Sequence, residues 1–456
     1  MTFTTTTIKE MCEAVVDCPH STPTWTETGY IVLRNQNIKE GRLDLSNPSY
    51  TDEPHYRQRI RRIEPKAGDI VITREAPMGE ACLIPPNITC CLGQRQVLLR
   101  PRKDINSEYF LYALQSPFVQ NQIKWSEGTG STVSNLRIPH LERIKIPRKP
   151  AHIERKIAKI LGSIDAKNDI NRRTNQTLEA IAQAIFKSWF VDFDPVKAKI
   201  AALEQGEDPL RAAMRAISGK TDDELDQLPR EQYDELAATA ELFSDAMEES
   251  ELGETPVDWE VDAIGNLVET TGGATPDTKN QTYWEPSTHS WTTPKDLSNL
   301  ETPVLLSTER KISELGLAKI SSGLLPSGTL LMSSRAPIGY LAITQAPVAI
   351  NQGYIAMLPG GKLPPLYLLL WCHENMDTIK GQANGSTFME ISKKSFRPIP
   401  VATPPDKLVT RFIQTIEPMF EQIVFATRES GKLATIRNNL LPKLISGEVT
   451  IHSRKV

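Results

Sequence analysis

Residue types that bind metals or phosphates occur in this sequence, but not at the spacings that such sites need. Cys12, Cys18 and His20 lie close together, yet a fourth ligand is missing and their spacing fits no standard zinc site. Gly219-Lys220-Thr221 has the end of a phosphate-binding loop, but Met214 stands where that loop needs its first glycine. The seven histidines form no recognisable set with carboxylates or a nucleophile. The sequence therefore predicts a turn at Gly219 and neither a metal site nor a catalytic site.

One tetrapeptide suggests chemistry on a DNA base. Asn47-Pro48-Ser49-Tyr50 resembles the Asn-Pro-Pro-Tyr loop with which amino-methyltransferases hold a flipped adenine. Serine replaces the second proline, and no glycine-rich strand-to-helix turn for the methyl donor precedes it. A solitary adenine methyltransferase is therefore an alternative interpretation, which binding of S-adenosylmethionine by the purified chain would favour.

A cluster of four arginines indicates nucleic-acid binding more directly. Arg57, Arg59, Arg61 and Arg62 alternate in a way that suits one edge of a β-strand. Arginine N–H groups bind phosphates and guanine edges in pairs. From residue 55 to residue 150 the chain carries 16 Lys and Arg against 8 Asp and Glu, so this stretch is basic although the whole chain has a net charge of −4. A solvated charged face is the alternative for this cluster.

Further polar residues complete the set of candidate DNA-binding residues, because base edges are recognised by donors and acceptors carried on loops. In the first half these candidates are Arg74, Gln94, Arg95, Gln96, Ser131 and Thr132. In the second half they are Trp291, Lys295, Arg310, Arg335, Gln352, Tyr354, Asn384 and Ser386. Residues 260 to 405 contain 11 Lys and Arg against 12 Asp and Glu, so specificity there must rest on a few contacts.

Two long amphipathic stretches must position these candidates. The first, Ala151 to Phe190, has apolar residues at alternating three- and four-residue spacing, which predicts one helix about 60 Å long. Its ladder consists of Ile153, Ile157, Ile160, Ile164, Leu178, Ile181 and Ile185. Lys167, Asn171 and Thr174 interrupt the ladder and could fix the register of a helix pair. The second stretch has Val409, Phe412, Ile416, Met419, Ile423, Ala426, Ser430 and Leu433, prolonged by Ile436 and Leu440.

The blocks that precede these stretches indicate an internal duplication. A strand running into an Ala-Pro-x-Gly turn occurs at Gly68 to Gly79 and again at Gly328 to Gly339. Gly130-Ser131-Thr132 is repeated as Gly385-Ser386-Thr387. Between the blocks, Val196 to Met247 is typical of short helices, and Thr221 to Glu254 holds thirteen acidic residues against one arginine. Such a stretch cannot face DNA phosphates, and we interpret it as a solvated connector, with a docking face for a partner as the alternative.

Composition limits the location of the protein. The six cysteines form no Cys-x-x-Cys pair, no basic-then-apolar signal opens the chain, and the longest compact apolar run, Leu366 to Cys372, is too short to cross a membrane. These features predict a soluble cytoplasmic protein.

A family resemblance follows from segments at the ends of the two halves. Leu440 to Glu448 after one long stretch, Ser188 to Pro195 after the other, Ser334 to Gly339 within a block and the opening Val16 to Pro23 resemble the specificity subunit of type I restriction-modification enzymes, HsdS. The similarity extends over essentially the whole chain. It implies an α+β fold in which two target-recognition domains of mixed α/β type form a pseudo-twofold tandem repeat, separated by two long helices in an antiparallel coiled coil.

The resemblance also implies boundaries and partners. The expected segments are residues 1–150 and 257–405 as the first and second recognition domains, 151–195 and 406–456 as the long helices with their tails, and 196–256 as the acidic connector. Each recognition domain would read one half of a split double-stranded DNA target, and the helices would set the gap between the halves. Expected partners are two methyltransferase subunits, which bind S-adenosylmethionine, and restriction subunits that use ATP and magnesium. The chain itself would bind no cofactor and do no chemistry, and a coiled-coil scaffold that binds no DNA is a second alternative.

Overall fold

The computed structural model describes residues 4–125, 135–385 and 389–451. These residues belong to two units. Unit 1 consists of Met1–Asp169 with Gly431–Val456, and unit 2 consists of Ile170–Ser430. The two long stretches are helical from Ala151–Phe190 and from Asp406–Ser446, so each unit contains a segment of both. No described helix is both long and apolar enough to cross a membrane.

Unit 1 contains two sheets that position the candidate residues. The larger is antiparallel, in the order Cys12–Asp17, Gln96–Pro101, Ile70–Thr73, Ala81–Leu83. Ile70–Thr73 and the residues Val97, Leu98 and Leu99 of its two central strands are β-branched or aliphatic and buried, which suits a sheet covered on both faces. The smaller sheet has Tyr30–Leu33 at its centre, antiparallel to Ser49–Thr51 and parallel to Cys90–Leu92.

Short elements surround these sheets in unit 1. The remaining strands are Thr5–Thr7, which pairs with Lys145–Pro147, and Ile38–Lys39, which pairs with Arg42–Leu43. The remaining helices are Ile8–Met11, Asn35–Asn37, Glu53–Arg59, Ser107–Gln115, Pro117–Trp125 and Ile138–Arg143. Tyr109, Phe110 and Leu114 of one of these helices are fully buried and form much of the core.

Unit 2 contains the same pair of sheets. The larger has the order Thr270–Thr271, Tyr354–Met357, Leu330–Ser334, Ile338–Thr344, Val304–Leu305. The smaller has His289–Thr292 at its centre, antiparallel to Arg310–Ile312 and parallel to Ala349–Ile350. Glu260–Ala263 pairs with Pro400–Thr403 outside these sheets. The helices that pack around them are Ile264–Leu267, Gln281–Tyr283, Pro294–Ser298, Glu314–Leu317, Pro365–Glu374, Met376–Gly381 and Lys393–Phe396.

The Ala-Pro-x-Gly turns confirm the duplication in atomic detail. In unit 1, the Thr73 hydroxyl donates to the Pro77 carbonyl at 2.6 Å and accepts from the Glu80 amide at 3.0 Å. In unit 2, the Ser333 hydroxyl makes the same two bonds, to the Pro337 carbonyl at 2.8 Å and from the Tyr340 amide at 2.8 Å. Strand register extends the correspondence to Val32 and Trp291, which are the central-strand residues paired with Ser49 and Arg310 respectively.

Within each unit, the segments of the two long helices run antiparallel. In unit 1, Ile157 and Leu161 share a core with Leu441 and Leu444, and Arg437 donates to the Asp165 carboxylate at 3.1 Å. In unit 2, Leu178 packs against Ile423 and Val424, and the Phe186 and Phe412 rings meet edge to face at 5.8 Å. Residue numbers thus rise along the first helix as they fall along the second, which confirms the antiparallel prediction.

A buried asparagine lies in the middle of the helix pair in unit 2, as its position in the ladder predicts. The Asn171 amide donates to the Glu429 carboxylate at 2.8 Å, the Ser430 hydroxyl at 3.2 Å and the Ala426 carbonyl at 3.4 Å. Its second polar neighbour is Asn175 rather than Thr174, because Asn175 is the residue that is buried. A single polar pairing inside an apolar contact favours one register over shifted ones.

Most of the predicted ladder is confirmed: Ile157, Val409, Phe412, Ile416, Ile423 and Ala426 are buried, and Leu178 packs against the second helix. It is wrong at three positions. Ile160, Ile181 and Ile436 are 36%, 40% and 46% exposed, so they do not face the partner helix. The buried stripe of the first helix instead passes through Leu161 and Phe186. An α-helix has 3.6 residues per turn, so a strict alternating ladder drifts away from the contact over forty residues.

The acidic connector is folded and attached to unit 2, and its short helices confirm that prediction. After Phe190 the chain turns at Phe193, whose φ is 55°, and continues through helices Asp194–Gln205, Pro209–Ser218, Asp222–Asp226 and Arg230–Glu241 and the hairpin Met247–Ser250 with Gly253–Pro256. Arg411 of the second long helix donates to the Thr239 hydroxyl at 2.7 Å. Gly219 ends one helix and Thr221 caps the next, so the predicted turn is confirmed.

Candidate nucleic-acid interface

A threonine–glutamine contact occurs at the same place in both units. In unit 1 the Gln94 amide donates to the Thr22 hydroxyl at 3.1 Å, and in unit 2 the Thr275 hydroxyl donates to the Gln352 side chain at 2.7 Å. Each glutamine follows the parallel outer strand of a smaller sheet, and each threonine precedes a proline in the loop entering the domain. The contact fixes each Thr-Pro loop over the end of its sheet. We missed the two threonines in the sequence, although the repeated Thr-Pro pair was a usable signal.

The arginine cluster is not on a strand, which corrects the prediction from its alternation. Asp52 caps a helix, Glu53–Arg59, by accepting from the His55 amide at 2.9 Å, and Pro54 occupies its first turn. Arg57 is exposed and paired with Glu53 one helical turn earlier at 2.6 Å. The alternation therefore places the four side chains in different surroundings.

Arg59 lies inside the fold, whereas Arg61 and Arg62 lie on its surface. Only 5% of Arg59 is exposed, and its guanidinium donates to the carbonyls of Leu92 at 2.8 Å, Ser21 at 2.8 Å and Pro19 at 3.4 Å. It thus ties the Thr-Pro loop of unit 1 to the smaller sheet and is not available to DNA. Arg61 and Arg62 are exposed and remain candidates.

The other described first-half candidates differ in the same way. Arg74 donates from one terminal nitrogen to both oxygens of the Asp17 carboxylate, at 2.8 and 2.9 Å, and is a structural residue in this conformation. Gln96 is fully buried and accepts from the Gly93 amide at 3.2 Å. Arg95 is exposed beside Glu75 at 3.3 Å. Gln94 and Arg95 therefore remain surface candidates, and Ser131 and Thr132 lie outside the described residues.

Second-half candidates divide into buried supports and exposed side chains. Trp291 and Tyr354 are each 2% exposed, and burial raises the pKa of the Tyr354 hydroxyl, which shares a hydrogen bond of 3.0 Å with Thr292. Both are therefore unable to reach a base edge in this conformation. Lys295 is paired with Glu309 at 3.0 Å and Arg335 with Glu390 at 3.7 Å. Asn384 is exposed, and its main chain forms an isolated antiparallel β-bridge with Glu390. Ser386 lies outside the described residues.

Two aromatic–arginine stacks mark exposed surface in the two units. In unit 2 the guanidinium carbon of Arg310 lies 3.7 Å from the ring centroid of Trp284. In unit 1 that of Arg34 lies 5.5 Å from the ring of Trp25, which is 48% exposed. Arg34, Trp25 and Trp284 were missed, because each stack joins residues from different elements. Cationic side chains held on aromatic rings are suited to contacts with nucleic acid.

The residues that could have supported chemistry do not form a site in the described parts of the chain. Ser49 and Tyr50 of the tetrapeptide lie in an edge strand, where Tyr50 pairs with Ile31. Cys18 is buried and accepts from the Gln96 amide, and no group of metal-binding side chains is found among the residues that the structure covers.

Comparisons with known proteins agree with this geometry. A family model described as "Type I restriction modification DNA specificity domain" matches residues 2–180 and 256–421. The HindI specificity subunit of Haemophilus influenzae is 29% identical over 405 residues, covering 84% of this chain and 87% of the relative. The MjaIX specificity subunit of Methanocaldococcus jannaschii is 34% identical over 187 residues, 41% of this chain and 43% of the relative. The crystal structure of an S subunit from M. genitalium covers 97% of this chain and 96% of its own with a TM-score of 0.54 at 15% identity, a likeness of fold alone.

Proposed function

The chain belongs to the type I restriction-modification DNA specificity family, and from that premise we propose that its two recognition domains read the two different halves of one split DNA target. It is a specificity subunit: it binds DNA in a sequence-dependent way and is not itself an enzyme. The matched residues cover both recognition domains, which supports this function over a solitary methyltransferase or a scaffold that binds no DNA.

One observation carries the proposal of an asymmetric target. The smaller sheet and the Thr–Gln contact are built alike in the two units, but the residues at equivalent positions differ, and Arg310 and Arg95 are exposed in only one unit each. Ser49 stands where unit 2 has Arg310, and Arg95 stands where unit 2 has Gly353. A common scaffold that carries different donors and acceptors recognises different base pairs.

The chain works with methyltransferase and restriction subunits, and we infer two methyltransferase subunits, one for each recognition domain. In unit 2 the outer surface of the long helices supports a docking role. Ile170, Ile181 and Phe425 are 57%, 40% and 61% exposed, and Ala180, Ile181 and Ala184 line a shallow groove on the first helix. Scattered apolar residues are common on any surface, but an apolar groove on an exposed helix face is the kind of feature that a protein partner covers.

Cofactors belong to those partners in this proposal. S-adenosylmethionine would bind the methyltransferase subunits, and ATP and magnesium the restriction subunits. The support within this chain is the surroundings of its candidate ligands: Cys18 is buried and Tyr50 lies in a sheet. Isothermal titration of the purified chain with S-adenosylmethionine tests this point, and saturable binding would contradict it.

The proposed function is tested by methylation of a DNA library with randomised bases. Methyltransferase subunits are assayed with and without this chain, and methylated molecules are sequenced. We expect a split motif with two unlike halves that appears only when the chain is present. Methylation of the same motif without the chain, or methylation without any motif in its presence, would contradict the proposal.

A further inference from the structure

We propose that Arg310 reads a guanine in the half-site bound by the second recognition domain, and that Trp284 positions it. The inference deepens the proposed function and rests on it, because it names one specificity-determining residue and the base that it recognises. Nothing in the sequence distinguishes Arg310 from the other candidates. The distinction comes from its surroundings.

Arg310 lies against a fixed aromatic surface. Its guanidinium carbon is 3.7 Å from the ring centroid of Trp284 and 5.2 Å from that of Trp291, and the two indoles meet edge to face at 5.2 Å. Trp291 donates its ring N–H to the Ala274 carbonyl at 3.3 Å, and Trp284 donates its own to the Asp277 carbonyl at 3.1 Å. Both rings are thereby held by one loop, so the arginine loses little side-chain entropy when it binds.

The N–H groups of Arg310 are available for a ligand. Arg310 is exposed, and its guanidinium makes no hydrogen bond or ion pair with any residue that the structure describes. Its neighbour in the chain, Glu309, pairs instead with Lys295 at 3.0 Å. Stacking occupies the face of the guanidinium but leaves its in-plane N–H groups free. This is the arrangement of a donor pair prepared for an external acceptor.

The planar donor pair selects the chemistry of the ligand. Two parallel N–H groups match the O6 and N7 acceptors of guanine in the major groove, which is the commonest specific contact between arginine and DNA. A phosphate would accept the same two N–H groups, but it also binds the point charge of a lysine and so does not require a planar donor pair. An arginine held at one angle by two rings favours the base edge, because a base contact requires a fixed orientation.

The surrounding surface supports a role in recognition. The loop that accepts from both indoles also contains Thr275, whose hydroxyl donates to Gln352, another candidate. Arg310 and Gln352 therefore border the same loop of the second recognition domain. In the first domain the position equivalent to Arg310 is Ser49, which cannot make the two-bond contact. The guanine contact is thus expected in only one half-site.

The test is methylation of a library randomised at every base of the target, by the complex assembled with methyltransferase subunits. For Arg310→Ala we expect the preference for guanine at one position of one half-site to fall by about 5- to 150-fold, with the other half-site unchanged. Arg310→Lys, which keeps the charge but lacks the planar pair, should also lose this preference. Trp284→Leu should weaken it while Arg310 is still present. Lys319→Ala is the matched control, since Lys319 is also stacked, 5.6 Å from the Tyr283 ring, and should change no single position.

Three results would overturn the inference. An unchanged motif in Arg310→Ala would show that Arg310 reads no base. If Arg310→Lys keeps the wild-type motif and affinity, while Arg310→Ala weakens binding to all sequences alike and reduces the salt slope by about one, Arg310 contacts a phosphate. If Trp284→Leu leaves the preference intact, Trp284 does not position the arginine. Arg310→Ala, Arg310→Lys and Trp284→Leu must all retain the first half-site motif, which reports that the chain is folded. Absence of any motif with the wild-type chain would instead contradict the proposed function.

Discussion

Glu179 gives the stability of unit 2 a pH dependence that one substitution should remove. The side chain lies on the first long helix and lines a cavity of about 280 Å³ together with Leu300, Leu369 and Ile416. Burial raises the pKa of the Glu179 carboxyl from 4.5 to about 7. Since the folded pKa lies above the unfolded one, this carboxyl favours folding most below about pH 4.5. That contribution is lost as the pH rises towards 7 and stays lost above it.

The size of the effect follows from the shift. A change from 4.5 to about 7 corresponds to at most about 3.4 kcal/mol at 1.36 kcal/mol per pKa unit. Solvent reaches part of the side chain, so we expect about 1–3 kcal/mol. Glu179→Gln keeps the shape and removes the charge. Its free energy of unfolding should match that of the wild type near pH 4.5 and exceed it by this amount at pH 8.

Urea unfolding of both proteins at the two pH values measures the difference directly. His373 and Glu301 line the same cavity and are present in both proteins. Glu417→Gln, at an exposed position of the second long helix, is the control and should show the same difference at both pH values. A Glu179→Gln difference that does not change between pH 4.5 and pH 8 would refute the assignment of a desolvated carboxyl.

Three further predictions concern the arginines, the helices and the docking surface. Arg59→Ala should lower the free energy of unfolding by about 2–4 kcal/mol, because three carbonyls lose a charged donor. Arg61→Ala should instead leave stability unchanged and weaken DNA binding at low salt. Equal urea midpoints for the two variants would contradict this prediction. Asn175 and Thr427 contact each other across the helix pair. Inserting four residues after Asn175 and four before Thr427 adds about 6 Å to each helix and should lengthen the preferred gap by about two base pairs. An active variant that still methylates DNA with the original gap would show that the helices do not set it. Phe425→Glu should keep the wild-type melting temperature, since Phe425 is 61% exposed. It should weaken assembly with methyltransferase subunits, as measured by sedimentation velocity. Unchanged assembly would show that this surface is not the docking site.

Local pattern was sufficient for the long elements. The bounds of the first helix, Ala151–Phe190, follow from its apolar ladder and from the prolines on either side. The duplication was visible because the Ala-Pro-x-Gly turns keep both their residues and their hydrogen bonds. The strand predicted for the arginines was wrong although Asp52 and Pro54 are ordinary signals of a helix start. There, charge alternation was given more weight than capping.

The surroundings of the candidate side chains could not be read from local pattern. Arg59 is buried because it contacts carbonyls at residues 19, 21 and 92, which the fold brings together from two distant segments. The Thr22–Gln94 contact spans 72 residues and the Thr275–Gln352 contact spans 77. Whether a polar residue supports the fold or faces outward depends on such long-range contacts, and the sequence therefore named both kinds together.

Replacing the second recognition domain by a copy of the first tests the central claim most directly. Residues 257–405 would be exchanged for the corresponding segment of residues 1–150, with both long helices retained, and methylation of a randomised library would be sequenced after assembly with methyltransferase subunits. If each domain reads its own half-site, the target becomes symmetric, with the first half-site present twice in opposite orientation. A variant that assembles and methylates the original asymmetric target would contradict the account, because the sequence would then be read elsewhere.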